Sequence, residues 1–477
     1  MANTNKEQID NEIFGLDYNP QEILYFDGNQ YENFVEHSSN WSNDEFYVIT
    51  RSLHEVSGNY DISAPNAAKD VAYPGGLLMG NNGIVEGSPQ SLDAARDPIN
   101  ISIDLPGMES KSCVTVENPV YENVHSAVDI LLNNWYISCS DKNNIPAVFQ
   151  MKSTIAEEEK QLALNLDVSV NFLKDDLGID FGGIYSRKKS TYVTEYKQIF
   201  YTVSAGKPTR PSDVFSEDVT WDLLSKKGVS AKQPPMYVQN VQYGRQIFIT
   251  FESSMTDVQL EAALDGKITL KNGIKIDGNA KLDGGYSYSD IHVKVIVLGG
   301  RSDIYSGILS DEDFIKKMND IIFSNTKLSA ENPAYPVCYL PCFLKDNKPA
   351  SVVGNTEYIT EEVTKYRNGN LKLRHTGAYV AKFNVTWQEY EYNDKGVMDI
   401  KNCSWPQNGE HKTAGFEANI PLNANTRNIC IKAEGATGLV WDKWHNPIDK
   451  KNLAMVENRE AKIWGTTLNQ KGEVKPE

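Results

Sequence analysis

Six cysteines and seven histidines are the side chains best suited to nucleophilic or metal chemistry in this chain. Cys113, Cys139, Cys338, Cys342, Cys403 and Cys430 form no C-x-x-C pair, and no histidine stands at zinc-finger spacing from any of them. They are expected to be buried thiols, because a chain this long needs no disulfide framework. The patterns that activate a serine, cradle a phosphate or hold a catalytic zinc (G-x-S-x-G, G-x-x-x-x-G-K-S/T, G-x-G-x-x-G, H-E-x-x-H) do not occur. Asp175 and Asp176 read as a turn rather than an acid–base pair. No enzyme, metal or cofactor is expected.

What remains is the chemistry of apolar side chains alternating with polar ones. From Val258 the even positions read Val258, Leu260, Ala262 and Leu264, then Ile268 and Leu270, Ile274 and Ile276, Ala280 and Leu282. The odd positions are nearly all polar, and Asn272-Gly273 lies near the middle. Asn-Gly between alternating runs is a strong hairpin signal. A second run, Leu162, Leu164, Leu166, Val168, Val170 and Phe172, alternates with polar neighbours and resumes at Leu177, Ile179 and Phe181. Arms of about 9–11 residues suit a tilted strand crossing a bilayer, with one face to lipid and one to water. An ordinary hairpin in a half-buried sheet gives the same pattern.

The second run also carries a helical stripe, Leu162, Leu166, Val170, Leu173 and Leu177. It therefore encodes both an amphipathic helix and an amphipathic strand. A helix near 158–181 is expected before any membrane is met. The run from Val258 is expected to be partly strand already, since Gly266, Gly273 and Gly278 each cost a helix roughly 1 kcal/mol.

These segments sit in a chain of 477 residues, enough for two to four structural units. Hydrophobic residues at 40% and charged residues at 23% exclude wholesale disorder. The net charge of −17 argues against a nucleic-acid partner. It is unevenly spread: residues 363–477 hold 17 Lys/Arg against 13 Asp/Glu, whereas the first 362 hold 30 against 51. A mildly basic, tryptophan-bearing end suits an anionic or interfacial surface. No run approaches 18 apolar residues, so no membrane-spanning helix is expected. The start, Met1-Ala2-Asn3-Thr4-Asn5-Lys6, lacks the apolar character of a signal peptide.

Gly435-Ala436-Thr437-Gly438-Leu439-Val440-Trp441-Asp442-Lys443-Trp444-His445 resembles the tryptophan-rich undecapeptide E-C-T-G-L-A-W-E-W-W-R of the cholesterol-dependent, or thiol-activated, cytolysins. Further landmarks resemble that family in order: Tyr73-Pro74-Gly75-Gly76, the stretches 99–107 and 196–205, Val297-Leu298-Gly299-Gly300, His375-Thr376-Gly377-Ala378-Tyr379-Val380-Ala381, 420–429, and Ile463-Trp464-Gly465-Thr466-Thr467-Leu468. The resemblance covers nearly the whole chain.

It implies an elongated α+β multidomain pore-forming toxin fold, with a twisted central antiparallel sheet flanked by helical bundles and a C-terminal β-sandwich. The four implied domains are 10–25, 61–148, 199–244 and 325–348; 26–60 and 349–365; 149–198 and 245–324; and 366–477. It implies a secreted protein that meets a cholesterol-containing target membrane, assembles with copies of itself into a ring and refolds two bundles into barrel hairpins. The two alternating runs fall where the family keeps those bundles. Thr467-Leu468 matches the family's cholesterol-recognition pair, and Gly299-Gly300 its hinge.

The undecapeptide departs from the family at six positions. Val440 and Asp442 are conservative; Gly435 replaces Glu, Ala436 the Cys, Lys443 a Trp and His445 the Arg. Without the Cys, sensitivity to thiol oxidation should be lost. The Arg is the family residue tied to coupling membrane binding with assembly. Tyr390-Glu391-Tyr392 fits half of a receptor signature found in some members, but Gln407-Asn408 stands where Arg-Ser would be. The competing expectation is a non-lytic or partner-dependent relative that binds a lipid or glycan on the same scaffold.

Overall fold

The computed structural model describes residues 4–42, 45–60, 62–63, 70–138, 148–264, 291–299, 307–309, 328–329, 332–441 and 443–476. The chain divides into two compact units, Met1–Gln30 with Glu55–Tyr358, and Tyr31–His54 with Ile359–Glu477. The long strands Glu45–Tyr60 and Val352–Arg367 each run from one unit into the other. The fold is α+β, sheet-rich, and closes with a C-terminal β-sandwich.

The N-terminal unit is built on an antiparallel sheet of ten described strands. Its two longest, Ser190–Ala205 and Pro235–Ser253, pair from Asn240↔Ser204 to Ser253↔Ser190. Both are buried along nearly their whole length, so each face must be covered. Strand Pro235–Ser253 changes partner along its other edge. As far as Gly244 it pairs with Tyr335–Phe343, and from Gln246 with Ile291–Leu298. Helix Tyr121–Ser138 buries Val124, Ala127, Val128, Leu131 and Trp135, spaced as one helical face. The Trp135 Nε1–H donates to the Pro106 carbonyl at 3.2 Å.

The C-terminal sandwich has two four-stranded sheets. One runs Phe416–Leu422, Gly369–His375, Asn458–Thr466, Asn469–Pro476; the other Met398–Ser404, Ala381–Tyr392, Thr426–Ala436, Trp444–Leu453. Alternation builds the core directly. Ala381, Phe383 and Val385 turn inward between Lys382 and Asn384, and Ile429, Ile431 and Ala433 between Cys430 and Lys432. No described helix is long and apolar enough to cross a membrane, which says nothing of strands.

The expected helix over 158–181 is present in three pieces. Helix Glu159–Leu166 ends at Asp167, whose φ of 54° is left-handed. A π-helical turn follows at Phe172–Asp176 and a short helix at Phe181–Tyr185. The break has local causes. Asp167 pairs with Lys152, and the Ser169 hydroxyl accepts the Phe172 N–H at 3.2 Å and starts a new turn. The expected turn at Asp175 and Asp176 is this π-helical turn.

Of the run from Val258, only the first residues are described, and they are helical. Val258, Leu260, Ala262 and Leu264 lie in helix Asp257–Leu264. Thr256 and Gln259 cap it reciprocally, at 3.0 and 3.3 Å. The three glycines that argue against a helix all follow Leu264. Ile268, Leu270, Ile274, Ile276, Ala280 and Leu282 lie outside the described residues, as do Gly300 and Asp442.

The thiols are only partly as expected. Cys338 and Cys342 are buried, but Cys403 and Cys430 are half-buried and Cys113 is exposed; none of the five is in a disulfide among the described residues. Cys139 lies outside the described residues.

Candidate functional site

Three loops meet at one end of the sandwich, and backbone geometry makes each of them. Gly435 and Ala436 close strand Thr426–Ala436 and pair with His445 and Trp444, which open the next strand. The connecting loop is pinned at its base, where the Thr437 N–H donates to the Lys443 carbonyl at 3.1 Å. The Thr437 hydroxyl accepts the Leu439 N–H at 3.1 Å. Val440 and Trp441 at the tip are 82% and 83% exposed.

The second loop is the two-residue turn Thr467-Leu468, between the paired residues Thr466 and Asn469. Gly465 has φ +104°, and a Cβ there would meet the Asn469 carbonyl oxygen at 2.2 Å. Only glycine lets the turn close. Leu468 is 68% exposed and Thr467 half-buried.

The third loop follows His375, which is fully buried. The Gly377 N–H donates to His375 Nδ1 at 3.2 Å, which leaves Nε2 to donate to the Tyr379 carbonyl at 2.7 Å. The Tyr379 hydroxyl donates to the Trp464 carbonyl at 3.2 Å, and burial pushes its pKa up to about 12.

Hydrogen bonds join the loops. The Ala436 N–H donates to the Val380 carbonyl at 2.8 Å, and the Ala378 N–H to the Gly465 carbonyl at 2.9 Å. Gln470 Nε2 donates to the carbonyls of both Ala436 and Thr467, at 3.2 and 3.0 Å. Its Oε1 is buried without a partner among the described residues. A Cβ on Gly435 would lie 2.2 Å from that atom and 2.6 Å from the Tyr379 ring, so Gln470 and Tyr379 take the space a side chain at 435 would need.

The two tryptophans differ. Trp444 lies under the Lys382 ammonium, 4.3 Å from its ring centre, and stacks on His411 at 5.7 Å. Trp441 is left to solvent. Sequence reading missed Gln470, Lys382 and His411. Only Gln470 had a local signal, its place two residues after the Thr467-Leu468 pair. Tyr390 is a strand residue, and Asn408 is committed to the backbone, bonding Val385 at 2.7 and 2.9 Å.

In the N-terminal unit, Leu162, Leu164, Leu166, Val168, Phe172, Leu177, Ile179 and Phe181 are all buried, and Val170 packs half-buried against the same core. The Phe172 ring lies 5.0 Å from that of Phe248 on the central sheet. Arg187 ties the starts of the two helical segments, reaching Glu157 at 2.9 Å and Asp257 at 3.1 Å. Gly299 has φ +82°, and a Cβ there would come within 2.7 Å of both the Gly244 carbonyl and Tyr335, where strand Pro235–Ser253 changes partner.

The thiol-activated cytolysin family pattern matches residues 8–366, and the pattern of the family's β-sandwich domain matches residues 370–471. The chain belongs to the thiol-activated, cholesterol-dependent cytolysins. It is 38% identical to tetanolysin of Clostridium tetani over 476 residues, covering 99% of this chain and 88% of that one. The crystal structure of a Gram-negative toxin matches with a TM-score of 0.80 at 38% identity, covering 99% of each chain. That of a non-hemolytic pneumolysin from Streptococcus pneumoniae strain ST306 matches with a TM-score of 0.74 at 33% identity, covering 100% of each. The cytolysin family is one of pore-forming toxins.

Proposed function

We propose that this cytolysin binds cholesterol-containing membranes through the loop end of its sandwich, assembles into a ring and inserts the two segments that begin at Glu159 and Asp257 as strands of one large β-barrel. The observation that carries the reading is the exposure of Val440, Trp441 and Leu468 on loops held together by hydrogen bonds. Large apolar side chains left in water on a braced scaffold suit an interface, and indoles favour the headgroup level. Thr467 adds a hydroxyl beside the aliphatic Leu468, which matches a sterol's single hydroxyl on a large apolar body.

Assembly follows from the backbone. Two hairpins from one chain leave edges whose N–H and C=O groups cannot be satisfied in lipid, so many copies must close a barrel. The partner change at Gly244, against Gly299, supports a hinge there. The four-domain division stated above accompanies this reading, as does secretion to a target-cell membrane.

A second reading, a non-lytic relative, is favoured by Lys443 and His445 in the undecapeptide. One experiment separates the two: flotation and dye release with liposomes of graded cholesterol content, for the parent chain and for Thr467→Gly with Leu468→Gly. Sterol-dependent binding and release, both lost in the double variant, support the cytolysin. Binding without release supports the non-lytic relative, and unchanged flotation of the double variant overturns the sterol assignment.

A further inference from the structure

We propose that a cavity in the N-terminal unit, between helix Tyr121–Ser138 and the central sheet, is a binding site for a small aromatic organic cation. It encloses about 320 Å³, room for a one-ring molecule. Tyr121, His125 and Asp129 line it from successive turns of one helix face, Tyr201 and Tyr243 from the two longest strands, and Tyr335 from the stretch opposite. It lies in the other unit from the membrane-facing loops and has no part in the reading above.

Three observations define the ligand. The first is the rings: Tyr201 and Tyr243 stand nearly parallel, 12° apart with centres at 5.1 Å, and Tyr121 stacks on His125 at 5.8 Å. Aromatic walls of this kind take another ring or a cation over a ring face.

The second is hydrogen bonding. Tyr201 and Tyr243 are 3% and 9% exposed, yet neither hydroxyl has a hydrogen-bond partner among the described residues. A hydroxyl on a cavity wall can bond water or a polar group of a bound molecule. Each can accept an N–H.

The third is charge. Among the described residues no lysine or arginine lines the cavity, and the Asp129 carboxylate lines it 3.8 Å from His125 Nε2. Burial holds the Tyr201 phenol well above its ordinary pKa, and Tyr243, Tyr136, Asp129 and Asp104 push it the same way. The Asp129 carboxylate favours a cation over an anion there. A protonated aromatic amine satisfies all three features, with its ring among the tyrosines and its ammonium between the hydroxyls and Asp129.

The test is titration calorimetry on the full chain with benzylammonium, benzyltrimethylammonium, benzyl alcohol and benzoate as probes. Both cations should bind, the alcohol more weakly, and benzoate not at all. Asp129→Asn, a change at an exposed position, should weaken both cations several-fold. Tyr201→Phe should weaken benzylammonium more than benzyltrimethylammonium, which has no N–H to donate. Circular dichroism of each variant should match the parent. Equal binding of benzoate, no binding of either cation at millimolar concentration, or unchanged affinity in a folded Asp129→Asn variant overturns the proposal.

Discussion

Gln470 Nε2 donates to the carbonyl of Ala436 at 3.2 Å, so a residue on one sheet of the sandwich holds the last strand residue of the other. The same amide holds Thr467, at 3.0 Å. The undecapeptide and the Thr467-Leu468 turn are thereby one mechanical unit, although 31 positions separate Ala436 from Thr467.

Gln470→Ala should cost about 1–2 kcal/mol, the worth of two partly buried hydrogen bonds, and weaken flotation with cholesterol-rich liposomes. Gly435→Glu, which restores the family residue, should also weaken flotation, because its side chain needs the space of Gln470 and Tyr379. The double variant Gly435→Glu with Gln470→Ala should recover part of that loss. Strict additivity in the cycle would show that the two positions do not compete.

The tryptophans should separate stability from binding. Trp441→Ala removes a ring that touches mostly water, so denaturant stability should change by less than about 0.5 kcal/mol, while liposome flotation falls roughly tenfold through loss of interfacial area. Trp444→Ala removes the ring packed by Lys382 and His411 and should cost about 1–2 kcal/mol. The reverse order in an unfolding titration would place Trp441 in the packing.

Insertion makes a positional prediction. An environment-sensitive dye on single cysteines, in a background without the native ones, should read lipid at Val168 and Val170 and water at Asp167 and Ser169 after dye release begins. Before it, Val168 should read a buried site and Ser169 a more open one, as in the folded chain. Neighbours that report the same environment after release would rule out strands of period two.

Glu158 gives a pH prediction. It precedes helix Glu159–Leu166, accepts from Asn29, and is buried enough to push its carboxyl from 4.5 up to about 7. Lys160 opposes that rise and Glu159 adds to it. A carboxyl with a raised folded pKa binds its proton more readily when folded. Its contribution is therefore full below about pH 4.5 and is lost as pH rises through about 7. Glu158→Gln should melt above the parent at pH 8, with the difference vanishing at pH 4.5. Scanning calorimetry at both values checks it; a lower melting temperature at pH 8 would count against burial as the cause.

Sequence alone determined what depends on neighbours along the chain. Alternation at Ala381–Val385 and Ile429–Ala433 marks strands because side-chain direction has period two whatever the strand packs on. The order of short landmarks identified the cytolysin scaffold without any distance being known. The Thr467-Leu468 pair was legible in the same way, by its place in Ile463-Trp464-Gly465-Thr466-Thr467-Leu468.

Tertiary structure decided what depends on distant cover. The apolar set at Leu162–Phe181 fits a strand or a helix equally, because a pattern records which side chains avoid water and not which surface shields them. Phe248 and the central sheet supply that shield here, and the Asp167 pair with Lys152 sets where the helix breaks. Local alternation also could not see Thr256 capping a helix at the very residues that read as strand. Trp441 and Trp444 look alike in the sequence; only Lys382 and His411, brought from other strands and loops, make one a packed ring and leave the other in solvent. Gln470 could be identified only once two sheets were laid face to face, because a hydrogen bond between residues 34 apart depends on the fold that joins them.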